Sequence, residues 1–156
     1  MKLTLLYIGK TSTTEVKILC AEYLKRINRH IKAEEVIIDY PTLKSNDKKV
    51  VTAKEGELIL RKLMPTDYVV LLDDKGKEHT SMQFAAYIQN LMNQSYKQVV
   101  FIVGGAYGFD NTVYERAKAK ISLSKMTFSH QIIRAIFTEQ LYRAMAILHN
   151  EPYHHE

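Results

Sequence analysis

Two short runs constrain this chain more than anything else in it. Tyr68–Leu72 (YVVLL) and Gln98–Val103 (QVVFIV) are apolar, rich in β-branched residues and without alternation. That pattern belongs to strands buried on both faces. The segment between them opens a helix at Ser81, with Phe84, Tyr87, Ile88 and Leu91 following at helical spacing. Strand, helix and strand in that order imply a right-handed parallel crossover. Lys2–Ile8 predicts a strand ended by Gly9, and a helix follows from Thr13 or Thr14 to about Arg29. Glu35–Tyr40 reads as a strand stopped by Pro41, Thr42–Lys49 as a polar loop, and Lys49–Leu63 as a helix. A short helix near Asn111–Lys118, a strand at Ile121–Leu123 and a long helix from about His130 to His149 complete the order. The expectation is an α/β fold: a three-layer sandwich on a mainly parallel sheet, with residues 1–156 as one domain.

Size and composition remove several classes of function. A chain of 156 residues, 46% hydrophobic and 25% charged, closes one ordinary core and leaves little for a second. The single cysteine, Cys20, excludes an internal disulfide and a multi-cysteine metal site, and its apolar helical setting reads as a buried, inert thiol. No apolar run approaches the ~20 residues of a membrane span, and MKLTLLYIGK reads as a strand and not a signal peptide. A cytoplasmic protein is therefore expected. The net charge of +5 agrees with a polyanionic partner but is weak ground for one.

Ligands of open α/β sheets bind beyond the carboxyl ends of the strands, which here are Asp73–Lys77, Gly104–Asp110 and Leu123–His130. Gly104-Gly105-Ala106-Tyr107-Gly108 lets backbone amides approach a ligand where a Cβ would obstruct it. It is neither a P-loop nor a dinucleotide fingerprint, and a tight turn without ligand is the alternative. Leu123–His130 (LSKMTFSH) interleaves hydroxyl and apolar residues, as an adenine ring requires. A plain helix-entry loop capped by Ser129 would look the same. In the ending HNEPYHHE no spacing matches a metal ligand set. Tyr153 and the histidines either contact a partner or belong to an unordered tail. Lys17, Lys25, Arg26, Arg29 and Lys32, with Lys44, Lys48, Lys49 and Lys54, suit a solvated face or phosphate contacts. Glu139 and Arg143, four apart on the long helix, either pair or project together as functional groups.

MKLTLLYIG, AEYLKRI, AKEGE, LLDDKGK, FIVGGAYGF, SLSKMTFSHQIIR and EQLYRAMAILHNEPYHHE follow one another over essentially the whole chain. In these segments the chain resembles the ribosomal large-subunit pseudouridine methyltransferase H family, short members of the SPOUT class. The resemblance implies S-adenosylmethionine-dependent methylation of N3 of a pseudouridine in 23S rRNA, on the assembled ribosome, by a homodimer. It also implies a C-terminal trefoil knot, which general folding rules would not propose, and no membrane or DNA partner. Carried over by position, the cofactor contacts are Leu72, Gly104 or Gly105, and Leu123, Ser124, Lys125, Met126, Thr127 and Phe128. Arg143, Tyr153 and His154 are the candidates for the chemistry. Arg143 would stabilise the anion left when N3 loses its proton, His154 would accept that proton, and Tyr153 would stack on or hydrogen-bond the base. The chain departs from the family at His155, where Arg or Lys is usual, so RNA affinity is expected to weaken above neutrality. One small protomer has little surface left to enclose a base, so the tail Pro152–Glu156 is expected to complete the site of its partner. The rival readings are a non-catalytic ribosome-associated RNA-binding protein of the same fold and a SPOUT enzyme acting on tRNA. Many of the latter carry an added RNA-binding domain, for which 156 residues leave no room.

Overall fold

The computed structural model describes residues 1–39 and 45–155. The chain runs β1 (Lys2–Ile8), α1 (Thr14–Ile27), β2 (Ala33–Ile38), α2 (Lys48–Lys62), β3 (Tyr68–Glu78), α3 (Ser81–Asn93), β4 (Gln98–Val103), α4 (Asn111–Arg116), β5 (Ala119–Ser122) and α5 (Ile132–Leu148). The five strands form one sheet in the order β2-β1-β4-β3-β5, and every neighbouring pair is parallel. The expected end of the second strand at Tyr40, its stop at Pro41 and the start of the lysine-rich loop lie outside the described residues.

Both faces of the sheet are covered, which is why the central runs lack alternation. Leu3, Leu5 and Tyr7 of β1, with Val99, Phe101 and Val103 of β4, enter one core alongside Ile27, Phe84 and Phe137 from α1, α3 and α5. Leu6, Ile8, Val100 and Ile102 point the other way, toward Ile59 of α2 and Val113 of α4. Side chains alternate with period two while every position stays apolar. Cys20 is a buried free thiol, and burial pushes its pKa up, so it is held as the unreactive thiol.

The third strand differs from the expectation. β3 does not stop at Leu72 but continues to Glu78, so Asp73–Lys77 is strand and not an exit loop. Its pairing with β4 ends at Leu72, while its pairing with β5 breaks register and resumes at Lys77↔Ile121 and Glu78↔Ser122. Beyond Leu72 the strand is no longer flanked on both sides, so it needs no apolar run. Gly76 permits the continuation: a Cβ there would lie 2.5 Å from the backbone of Ile121.

Caps set the ends of the helices around the site. Asp110 accepts from Thr112 N at 3.0 Å, and Thr80 and Gln83 form a capping box. Ser129 Oγ accepts from Ile132 N at 3.2 Å across the turn that enters α5, while the N-cap position falls to Gln131 and not to Ser129 as expected. Below that turn Arg134 is fully buried and donates to Ile8 O, Gly9 O, Thr11 Oγ1 and His130 O at 2.7–3.0 Å. One guanidinium thus fixes the start of α5 against the exit of β1.

Candidate functional site

The middle of β3 and the exits of β4 and β5 open into one cleft of about 470 Å³, within the range of small-molecule sites. Leu72, Gly104, Gly105, Leu123, Ser124, Met126, Thr127 and Phe128 all line it, and Lys125 does not. At Gly104 and Gly105 the wall is bare backbone, enforced by what lies behind it. A Cβ on Gly105 would stand 2.5 Å from the carboxylate of Glu55, a buried residue of α2, and one on Gly104 would meet the Phe109 ring at 3.0 Å. Gly108, at φ +78°, closes the turn by donating its N–H to Gly105 O at 3.3 Å. Ser122 Oγ donates to Ser124 O at 2.9 Å, and Ser124 Oγ accepts from Met126 N at 2.9 Å, so the loop after β5 is shaped by its own hydroxyls. Tyr114, also in the wall, donates to Asp73; burial first, and then that carboxylate, push its phenol pKa up. A cavity walled by glycine amides, Leu72 and this loop suits a cofactor with a flat heterocycle and a polar tail.

The three catalytic candidates come together elsewhere. α5 ends in a Schellman motif: Asn150, at φ +55°, donates to Ile147 O at 3.2 Å, and Glu151 N donates to Ala146 O at 2.9 Å. The chain reverses there and lays Tyr153 and His154 back on the helix. Arg143 Nη2 donates to Glu139 Oε1 at 2.5 Å, so the pair four residues apart does form. Tyr153 Oη donates to the same oxygen at 3.0 Å and lies 3.3 Å from the hydroxyl of Tyr23 on α1. Its pKa is pushed up by burial and then by Tyr23 and Glu139, so it stays a phenol donor. The Arg143 guanidinium stands 4.8 Å from the Tyr153 ring centroid, and its Nη1 lies 3.4 Å from His154 Nδ1. Because a guanidinium only donates, Nδ1 is the acceptor. None of these three residues lines the cleft.

Sequence reasoning missed Glu55, Tyr114, Tyr23 and Gln140. Gln140 Nε2 donates to Glu139 Oε2 at 2.8 Å, and its residue also lines a second cavity of about 180 Å³. That cavity shares Ile121, Ser122 and Leu123 with the cleft and is otherwise bounded in part by His79 and Phe84. Only Glu55 left a signal, as the residue before Gly56 in AKEGE. Among the described residues no group of three or more His, Cys, Asp or Glu is placed to hold a metal ion. Among them, too, no helix is long and apolar enough to cross a membrane.

A family model described as "Predicted SPOUT methyltransferase" matches residues 1–154. A protein of Parabacteroides distasonis named ribosomal RNA large subunit methyltransferase H is 55% identical over 157 residues, covering 100% of both chains. Proteins of the same name from Christiangramia forsetii and Bacteroides thetaiotaomicron are 51% and 50% identical, covering 99% and 100% of both chains.

Proposed function

Since the chain belongs to the SPOUT methyltransferase family, we propose that it transfers a methyl group from S-adenosylmethionine to N3 of a pseudouridine in 23S rRNA. The substrate is the assembled ribosome in the cytoplasm, and the enzyme works as a homodimer of single-domain protomers. The knotted C-terminal half expected of the family is part of the same reading. The observation that carries it is the full-length identity, 55% end to end, with a relative named for large-subunit rRNA methylation. The cleft supports it, bringing Leu72, the bare backbone of Gly104 and Gly105 and most of Leu123–Phe128 to one opening.

When bound, S-adenosylmethionine supplies an electrophilic methyl group. Leu72, Gly104, Gly105 and, from the loop after β5, Leu123, Ser124, Met126, Thr127 and Phe128 would hold it through backbone groups and apolar contact. The rate gain is then largely one of placing two reactants in line. N3 must lose its proton as the N–C bond forms, and the negative charge on the ring needs a fixed cation. Arg143 fills that role, already oriented by Glu139 and by the Tyr153 ring. Tyr153 presents an aromatic face to the base, and His154 accepts the proton once Nδ1 turns from Arg143.

Geometry within one protomer argues for a shared site. Ile133 lines the cleft, whereas Arg143 lies almost three turns further along α5, about 15 Å up the axis. A guanidinium held by Glu139 at that height does not reach a methyl group in its own cleft. A second copy, placing its tail over this cleft, supplies Arg143, Tyr153 and His154. The reading is tested by mass spectrometry of 23S rRNA nucleosides from a deletion strain and its parent. Loss of methylated pseudouridine on deletion, restored by the intact gene, is expected; an undiminished level would defeat the assignment.

A further inference from the structure

We propose that the rim of the cleft, centred on Tyr107, is a stacking platform for single-stranded RNA beside the modified nucleotide. This deepens, and rests on, the rRNA reading above. Tyr107 stands at the tip of the Gly105–Gly108 turn with its residue 45% exposed. The Lys48 ammonium stands 5.5 Å from the Tyr107 ring centroid. Across the opening, Met126 is 77% and Phe128 36% exposed, and both line the same cleft. Large apolar side chains gathered at one mouth mark a surface meant to be covered.

Charge decides what covers it. Lys48 and Lys75 line the opening, and Lys125, exposed, adjoins Met126. Against them stand Asp74 and Asp73, the second already engaged by Tyr114. Open aromatic faces among ammonium groups are how proteins hold unpaired nucleotides: bases stack on rings and phosphates meet cations. The Lys48–Tyr107 contact adds to this, since a cation beside the ring holds it outward while its ammonium remains available to a phosphate. The deeper walls, Leu72, Gly104 and Gly105, serve the methyl donor; the exposed tip lies outside them.

The experiment uses full-length Tyr107→Ala, Tyr107→Phe and Lys48→Ala. Three quantities are measured: KM for ribosomes at saturating methyl donor, donor Kd by calorimetry, and Kd for a fluorescent oligouridylate. Tyr107→Ala should raise both the ribosome KM and the oligonucleotide Kd about tenfold, with donor Kd within about twofold, whereas Tyr107→Phe stays near wild type. Lys48→Ala should lower the slope of log Kd for the oligonucleotide against log salt by about 0.7, one phosphate contact on a single strand. Unchanged RNA affinity in Tyr107→Ala overturns the proposal. So does donor affinity falling in parallel, which would make Tyr107 a cofactor wall, or a lost dimer in sedimentation, which would make it a contact with the second copy. A wild-type enzyme that binds the oligonucleotide through Tyr107 yet methylates no ribosomes would overturn the functional reading alone.

Discussion

The cleft and the tail cluster are built in opposite ways. The cleft has a bare backbone wall at Gly104 and Gly105, where Glu55 and Phe109 leave no room for a Cβ, and carries exposed apolar side chains such as Met126. The tail cluster is closed on itself, because Arg143, Tyr153 and Gln140 all donate to the carboxylate of Glu139. One region is an open cleft. The other is a set of charged and aromatic groups already oriented, none of Arg143, Tyr153 and His154 lining that cleft. Preorganised charge accelerates a reaction only where charge develops, so the proposed reaction requires the two regions to meet across protomers.

The largest effect should come from filling the bare wall. Gly105→Ala places a methyl 2.5–2.9 Å from the Glu55 carboxylate, so either the loop or α2 must shift. A displacement of about 1 Å is enough to cost on the order of 100-fold in a positioned reaction. Turnover should fall about that far, and calorimetry should find S-adenosylmethionine binding weakened, with the circular dichroism spectrum intact. Binding near the wild-type level would mean that the donor does not approach Gly105.

Arg143→Ala should spare the donor and cost turnover. The expected fall in kcat is about 100- to 1,000-fold, with donor Kd within about twofold. Mixing this chain with Gly105→Ala then breaks or confirms the separation of the two regions. If the site is shared, the mixed dimer joins one good cleft to one good Arg143. After random reassociation about a quarter of wild-type activity returns, half of the dimers being mixed with one of two sites working. If each protomer works alone, nothing returns.

The two regions were not equally legible. A backbone-walled site leaves its mark in the sequence, as glycines at the end of an apolar strand and as small hydroxyl residues before a helix. Gly104, Gly105 and Leu123–Phe128 are therefore legible as strand-exit segments, whereas Leu72 enters only through the family resemblance. A side-chain network leaves only its local part. Glu139 and Arg143 are visible as a pair four apart, but Tyr23 meets Tyr153 across 130 residues of chain. Nothing in the sequence marks Arg134 as buried, since charged residues are rarely fully buried; its burial depends on the carbonyls of Ile8, Gly9 and His130 converging on one point. The continuation of β3 hid for a related reason: a strand freed of one neighbour carries polar residues and looks like a loop.

Between the regions lies the second cavity, and its character can be read from His79. Burial, and then Lys77, lower the pKa of this histidine, so the folded protein favours the neutral ring. A folded pKa below the unfolded value of about 6.5 means that the unfolded chain binds more protons just below that pH. The contribution of His79 to stability is complete above about pH 6.5 and is lost as pH falls through that value toward the lower folded one. His79→Gln lacks the titration. Its Tm should track wild type at a constant offset from about pH 8 down to pH 6.5, then gain on wild type by a degree or two toward pH 5.5. A constant offset over the whole range would mean that His79 senses bulk water.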